Sequence, residues 1–306
     1  MEVIHFKVKG GNFGDNLNDY IWQLLLPNIQ ELPSNEAILG IGTLQNKRIS
    51  PNIKRIHVFG SGALNSNASD WLKKNNFEFH FVRGPLTAKQ WGCSEKSLID
   101  GAALILHTNL KNITLKKSKK IGYIPHHTSD QQADFNTISN HANMEYISTR
   151  GFEIEKFISQ VKSCDFIITE ALHGAIIADL FRKPWLPVSS GYHIYSFKWD
   201  DWCKSIDLNY SPHCTDRIIT RGIKPIVRFE NIFKRSLSFV NIGKERWASK
   251  RICYDNKEKE GLIAEQLVQI KNNGNWILSK EKKIDELVNR SGEIFRDFKK
   301  RYGKDI

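Results

Sequence analysis

Apolar residues follow two alternating rhythms along the first two thirds of the chain, one of strand length and one of helical spacing. Glu2 to Val8 alternates and is rich in β-formers, which predicts a first strand. Tyr20, Ile21, Leu24 and Leu25 then recur as a helix face. Ala37 to Ile41 and Arg55 to Phe59 have the composition of buried strands. Phe77 to Val82 predicts another strand, Gly84 to Trp91 a helix and Ser97 to Ile99 a short strand, with apolar packing continuing through Gly101 to His107. A basic run from Leu115 to Lys120 interrupts the series, which then restarts. Strands are predicted at Ile121 to Pro125, Phe166 to Ile168 and Trp185 to Val188, and helices at Ile154 to Val161 and Gly174 to Phe181. Strands alternating with helices imply parallel sheets.

The expected fold class is therefore α/β, with two Rossmann-like domains facing a cleft and helices at the C-terminus. The lysine run sets the boundary: residues 1–114 form the first domain and 115–228 the second. A basic helical region, 229–306, follows, with amphipathic helices at 256–272 and 280–302. Ile284, Leu287, Val288, Ser291, Phe295, Phe298 and Tyr302 share one face of the last helix, opposite Lys282, Lys283, Arg290, Lys299, Lys300 and Arg301. That pattern predicts a helix packed back on the core with a solvated basic face; a membrane-surface or partner-binding helix is the alternative.

Three junctions between strand and helix carry candidate chemistry. After Phe166 to Ile168 come Thr169 and Glu170, and then a helical pattern, so His173 and Gly174 should sit at a turn. In open α/β sheets ligands bind outside the carboxyl ends of the strands. The N–H groups and dipole of a helix start there suit an anion. Gly10-Gly11-Asn12-Phe13-Gly14-Asp15-Asn16 joins the first strand to the first helix. It matches neither a dinucleotide fingerprint nor a P-loop. Its glycines allow close backbone approach, while Asn12, Asp15 and Asn16 offer polar groups or helix caps. Phe59-Gly60-Ser61-Gly62 makes a third such loop, bringing in Ser61.

Charge narrows the choice of ligand. Lys and Arg number 45 against 33 Asp and Glu, a formal net charge of +12, which favours an acidic partner. No RNA-binding motif, zinc finger or helix-turn-helix signature is present, so no specific nucleic acid is expected. The five cysteines are widely spaced and form no C-x-x-C, which argues against a disulfide framework and fits a reducing compartment. No metal-ligand spacing stands out. No leader pattern follows Met1 and no run is long enough to span a bilayer, so a cytoplasmic protein, either soluble or peripheral at the inner face of a membrane, is expected.

Four segments in order resemble the polysaccharide pyruvyl transferase family, in particular its succinoglycan-type branch. They are Gly11-Asn12-Phe13-Gly14-Asp15-Asn16-Leu17-Asn18, Val82-Arg83-Gly84-Pro85-Leu86-Thr87-Ala88, Leu98-Ile99-Asp100-Gly101-Ala102-Ala103-Leu104 and Glu170-Ala171-Leu172-His173-Gly174. The resemblance covers roughly residues 1 to 210. It implies a GT-B-like arrangement and transfer of pyruvate from phosphoenolpyruvate to a sugar as a cyclic ketal. The acceptor would be a lipid-linked or polymeric saccharide; the donor is a substrate, and no cofactor is implied. The first domain would then serve the acceptor and the second the donor.

On this reading His173 is the acid–base group, and Glu170, three residues before it, orients the imidazole or acts as the base. Arg83 is the best-placed arginine for the donor's phosphate or carboxylate. Ala171 stands where many family members have an arginine that holds the donor. Donor binding is accordingly assigned to Arg83, Lys198, Gly174 and one of His126 and His127, since adjacent histidines on extended chain point opposite ways. Trp199 could stack on a sugar or belong to the core. Two other classes remain: a glycosyltransferase using a nucleotide sugar, and a non-enzymatic carbohydrate- or nucleic-acid-binding protein.

Overall fold

A computed structural model describes residues 1–7, 9–43, 49–64, 72–73, 75–113, 121–220, 252–254 and 257–302. The first half builds a four-stranded parallel sheet in the order β1 (Glu2–Ile4), β2 (Glu36–Leu39), β3 (Arg55–Phe59), β4 (Phe77–Phe81). Helix α1 (Phe13–Leu25) connects β1 to β2, and α2 (Pro85–Trp91) follows β4. A 3-10 segment, Gly101–His107, buries Ala102, Ala103, Leu104 and Ile105. Ser97, expected in a short strand, forms only an isolated bridge to Val82.

The second half builds a separate five-stranded parallel sheet. Its strands, in chain order, are β5 (Ile121–Ile124), β6 (Glu145–Tyr146), β7 (Phe166–Thr169), β8 (Trp185–Ser189) and β9 (His213–Cys214). Across the sheet they run β6, β5, β7, β8, β9. Its helices are α3 (His127–Gln132), α4 (Phe135–His141), α5 (Ile154–Ser163), α6 (Leu172–Leu180) and α7 (Ser196–Ser205). A small parallel pair, β10 (Arg217–Ile219) with β11 (Ile252–Tyr254), lies beyond. The lysine run expected to mark the boundary lies outside the described residues, as does the start of the predicted C-terminal region.

The two halves meet along α1 and α5. Phe13 stacks on Phe157 with ring centroids 3.7 Å apart, and the Phe13 N–H donates to Thr149 O at 2.8 Å. Asn16 Nδ2 donates to Gly151 O at 2.8 Å, and the Gly151 N–H to Gly10 O at 2.9 Å. Gly11 must be a glycine here: its φ is +80° and a Cβ would lie 2.4 Å from Gly151 O.

The C-terminal helices part company. Helix α8 (Lys257–Asn273) packs on α4, burying Ile263, Leu267 and Ile270 with Phe135 and Ile138. Helix α9 (Glu281–Arg301) returns to the first sheet, where Phe295 and Phe298 pack against Phe59. Its buried face holds Ile284, Leu287, Val288, Ser291, Phe295 and Phe298, as the sequence periodicity predicts. The apolar face of α9 is thus covered, leaving its basic side outward. Among the described residues no helix is long and apolar enough to cross a membrane.

Candidate active site

A cavity of about 490 Å³ opens where the two sheets face each other. Each of β1 to β8 sends the segment after its carboxyl end into the wall. From the first half come Asn12 to Asp15, Gly42, Thr43, Leu64 and Arg83; from the second come His126, His127, Thr149, Glu170 to His173, and His193 to Lys198 with Trp199. Strand ends in parallel sheets all point one way, so two facing sheets concentrate loop residues in one crevice.

His173 is the second residue of α6, whose first turn opens on the cavity. Its Nε2 lies 3.8 Å from Oδ1 of Asp100 and has no hydrogen-bond partner. Burial pushes the imidazole down to about 4, with Lys198 and Arg83 acting in the same direction and Asp15 against it. The ring is therefore neutral at neutral pH. Asp100 itself is fully buried behind His173. One oxygen, Oδ1, accepts from Ala102 N–H at 2.9 Å, while Oδ2 has no partner. Burial pushes this carboxyl up to about 6.

Glu170 does not orient His173. Its Oε2 accepts from the backbone N–H of His126 at 3.0 Å, and the hydroxyls of Ser129, Ser190 and Tyr123 face the same carboxylate. Burial raises its pKa. The carboxylates near the imidazole are instead Asp15 and Asp100. Asp15, buried in the first turn of α1, accepts from Asn12 Nδ2 at 2.7 Å, and its pKa is raised by burial.

Two cations reach the cavity in different states. Lys198, in the first turn of α7, forms no ion pair within 4 Å among the described residues. Burial and the neighbouring Arg83 push its ammonium down to about 8, against the pull of Asp15 and Asp100. It is charged and available to an anion at neutral pH. Arg83 is tied down: Nε donates to Asp201 Oδ2 at 3.0 Å and Nη2 to Ala63 O at 2.9 Å. Asp201 also accepts from the N–H groups of Leu86 and Thr87 at 2.9 Å, so one carboxylate caps α2 and links the halves. Gly62 lets the guanidinium lie against the backbone, because a Cβ there would meet Arg83 Cζ at 2.1 Å.

Both His126 and His127 line the cavity, where the sequence predicts one. His126 caps α3 and His127 opens it, so the alternation of extended chain does not carry across the pair. Their rings lie 4.2 Å apart, with His193 at 5.1 Å from His126. Burial pushes His126 down to about 2 and His193 to about 3, and lowers His127. His193 accompanies Ser129, whose Oγ is 2.8 Å from its Nε2.

Three of the sequence candidates are not in the wall. Gly174 lies beneath it, where a Cβ would be 2.5 Å from Thr169 Oγ1. Asn16 spans to Gly151, and Ser61 Oγ donates to Gly42 O at 3.0 Å, fixing two neighbouring loops together. Trp199 touches the cavity but is 2 % exposed and stacks on Tyr210 at 5.0 Å. The exposed aromatics of the wall are Phe6 and Tyr195. Asp100 stands inside the third quoted motif without a role assigned to it, and His193 and Tyr195 follow the end of β8.

Two parallel sheets thus face a cationic, imidazole-rich crevice between their strand ends. Residues 8–192 match the polysaccharide pyruvyl transferase family. Over 214 residues the chain is 34% identical to the succinoglycan biosynthesis protein ExoV of Rhizobium meliloti (strain 1021), a match covering 69% of this chain and 67% of that protein. The chain belongs to the polysaccharide pyruvyl transferase family.

Proposed function

We propose that the protein transfers pyruvate from phosphoenolpyruvate to a sugar of a surface polysaccharide or its lipid-linked precursor, closing a cyclic ketal. The observation that carries this reading is the convergence of Lys198, Arg83, the N-terminus of α6 and His173 on one cavity. The donor has a carboxylate and a phosphate, and such groups are held by cations and clustered N–H donors. With Ala171 in place of an arginine, Lys198 takes the larger share of that charge and Arg83 the remainder. The second half holds the donor and the first admits the acceptor, in a GT-B-like manner, with Phe6 and Tyr195 as stacking surfaces for a sugar.

A sugar hydroxyl bonds C2 of the donor and passes its proton to a phosphate oxygen, while C3 takes a proton and becomes a methyl group. Phosphate then leaves with the electrons of its bond to C2, and a second hydroxyl bonds C2 and loses its proton. The dianionic donor raises the pKa of His173, favouring imidazolium. The imidazolium delivers the proton to C3 and the neutral ring accepts one from the second hydroxyl. Asp100, 3.8 Å behind Nε2, stabilises the imidazolium. Glu170 positions the His126 loop. No step calls on a cofactor.

The basic excess suits a lipid-diphosphate acceptor at the anionic cytoplasmic face of a membrane. Phosphate release from phosphoenolpyruvate across a panel of lipid-linked saccharides tests the proposal. Release that depends on one saccharide, with a ketal in the product, supports it. Turnover of a nucleotide sugar in its place would assign a glycosyltransferase. Salt-sensitive oligonucleotide binding without any turnover would assign a binding protein.

A further inference from the structure

One group of side chains has no part in this chemistry. Glu78 and His80, two residues apart on β4, share one face of the first sheet. His57 on β3 is in register with Glu78. Both imidazoles are buried under α9, each edge-on to the Phe298 ring. His57 Nδ1 lies 3.1 Å from His80 Nε2 and 3.5 Å from Glu78 Oε2, and His80 Nε2 lies 3.6 Å from Glu78 Oε1. Among the described residues no other three potential metal ligands are so grouped.

The surroundings favour lone pairs at the centre. His57 Nε2 is 3.0 Å from Glu36 Oε2, and an ionised carboxylate only accepts, so this contact places the ring proton on Nε2. Nδ1 is then a lone pair aimed at His80 and at the Glu78 carboxylate. Tyr302 donates to the same Glu36 oxygen at 2.5 Å, and Arg301 holds Glu78 Oε1. A hydrogen bond from His80 can relieve one of these contacts but leaves Nδ1 facing Glu78 Oε2.

We propose that His57 Nδ1, His80 Nε2 and Glu78 Oε2 form a site for a divalent first-row metal ion. Tetrahedral zinc at about 2.0–2.2 Å from nitrogen and oxygen ligands keeps those ligands about 3.3–3.6 Å apart. From His57 Nδ1 the separations to Glu78 Oε2 and His80 Nε2, 3.5 and 3.1 Å, fall in and just below that range, and all three ligand atoms lie within 4.8 Å of one another. Glu36 behind His57 supplies the carboxylate–histidine–metal relay that fixes a ligand's tautomer. A second cavity of about 350 Å³, lined in part by Glu78, His80, Ser97, Arg290, Asp297 and Arg301, borders two of the three ligands and gives water access to them. The ion would cross-link β3 to β4 beneath α9, a structural role separate from the proposed transfer reaction.

Full-length protein stripped with a chelator and titrated with zinc chloride tests the site, with bound metal and the thermal unfolding midpoint both read. One saturable zinc per chain with a rising midpoint is expected. His80→Gln and Glu78→Gln should each weaken binding by more than about tenfold, and Glu36→Gln by about 10–100-fold. Cobalt should give the visible absorption of a four-coordinate site, absent in His80→Gln. Failure of the wild-type protein to take up saturable zinc would overturn the proposal, even where a variant does not fold. So would undiminished binding in the Glu78→Gln/His80→Gln double variant; either result leaves a hydrogen-bonded tie and no metal site.

Discussion

A Cβ built on Gly14 would lie 1.9 Å from Nδ1 of His173, so the imidazole of one half rests directly on the helix backbone of the other. Gly14 is in α1, where alanine would ordinarily be favoured by up to about 1 kcal/mol. Any loss in Gly14→Ala therefore comes from the displaced ring. A misplacement of about 1 Å can cost roughly a hundredfold in rate. Gly14→Ala should fold normally and lose about that much in kcat, measured beside its thermal midpoint.

The two cations should separate in their effects. Lys198→Ala should fold and raise donor KM roughly ten- to a hundredfold, the cost of about 1.5–3 kcal/mol for a lost charged contact. Arg83→Ala leaves Asp201 buried without its partner, and breaking such a pair costs about 3–5 kcal/mol. Its main signature should be a lowered thermal midpoint. An unchanged donor KM in Lys198→Ala would contradict the donor site described above.

His173 and Asp100 should push stability in opposite directions with pH. The folded pKa of His173 is lowered to about 4, so the unfolded chain binds more protons between about 4 and 6.5. This group makes stability rise with pH across that window. Asp100 is raised to about 6, so the folded chain binds more protons between about 4 and 6, and its contribution falls as pH rises. Relative to wild type, His173→Gln should gain less stability over this window and Asp100→Asn should gain more. Chemical denaturation at several pH values measures both, and parallel profiles for the two variants would contradict the assignment.

The fold was readable because both sheets are parallel and buried. Continuous runs such as Phe166 to Ile168 announce central strands, and Arg55–Phe59 matches its predicted bounds. The edge strands β6 and β9 are two residues long and carry no periodicity to detect. Helices α3, α4 and α7 were missed for a related reason. The sequences His127–Gln132, Phe135–His141 and Ser196–Ser205 are mostly polar, and tertiary contacts settle their conformation.

The site was readable at strand ends, and less so in its partnerships. The positions of His173, Lys198 and both histidines follow from the carboxyl-end rule. Glu170 precedes His173 by three residues, yet its carboxylate bonds to the His126 loop. Asp100 comes from the opposite half, where it caps the 3-10 segment Gly101–His107, a pairing that local spacing cannot express. His57 and His80 are likewise 23 residues apart and meet only through sheet register.

Donor binding by the unmodified protein gives an independent reading. Phosphoenolpyruvate at about 100 times its Kd should stabilise the fold by about 2.7 kcal/mol. The effect should shrink in Lys198→Ala. Equal stabilisation of both proteins would remove Lys198 from the donor site.

The acid–base role of His173 is tested most directly by His173→Gln, with donor affinity and single-turnover ketal formation measured on the same preparation. Loss of such a group typically slows the chemical step by about 10²–10⁴-fold without abolishing binding. The variant should bind phosphoenolpyruvate with near wild-type affinity and form ketal at least about a hundredfold more slowly. Near wild-type turnover would contradict the account, leaving His173 as part of the wall and moving the search for the proton donor to Asp100, His126 and His127.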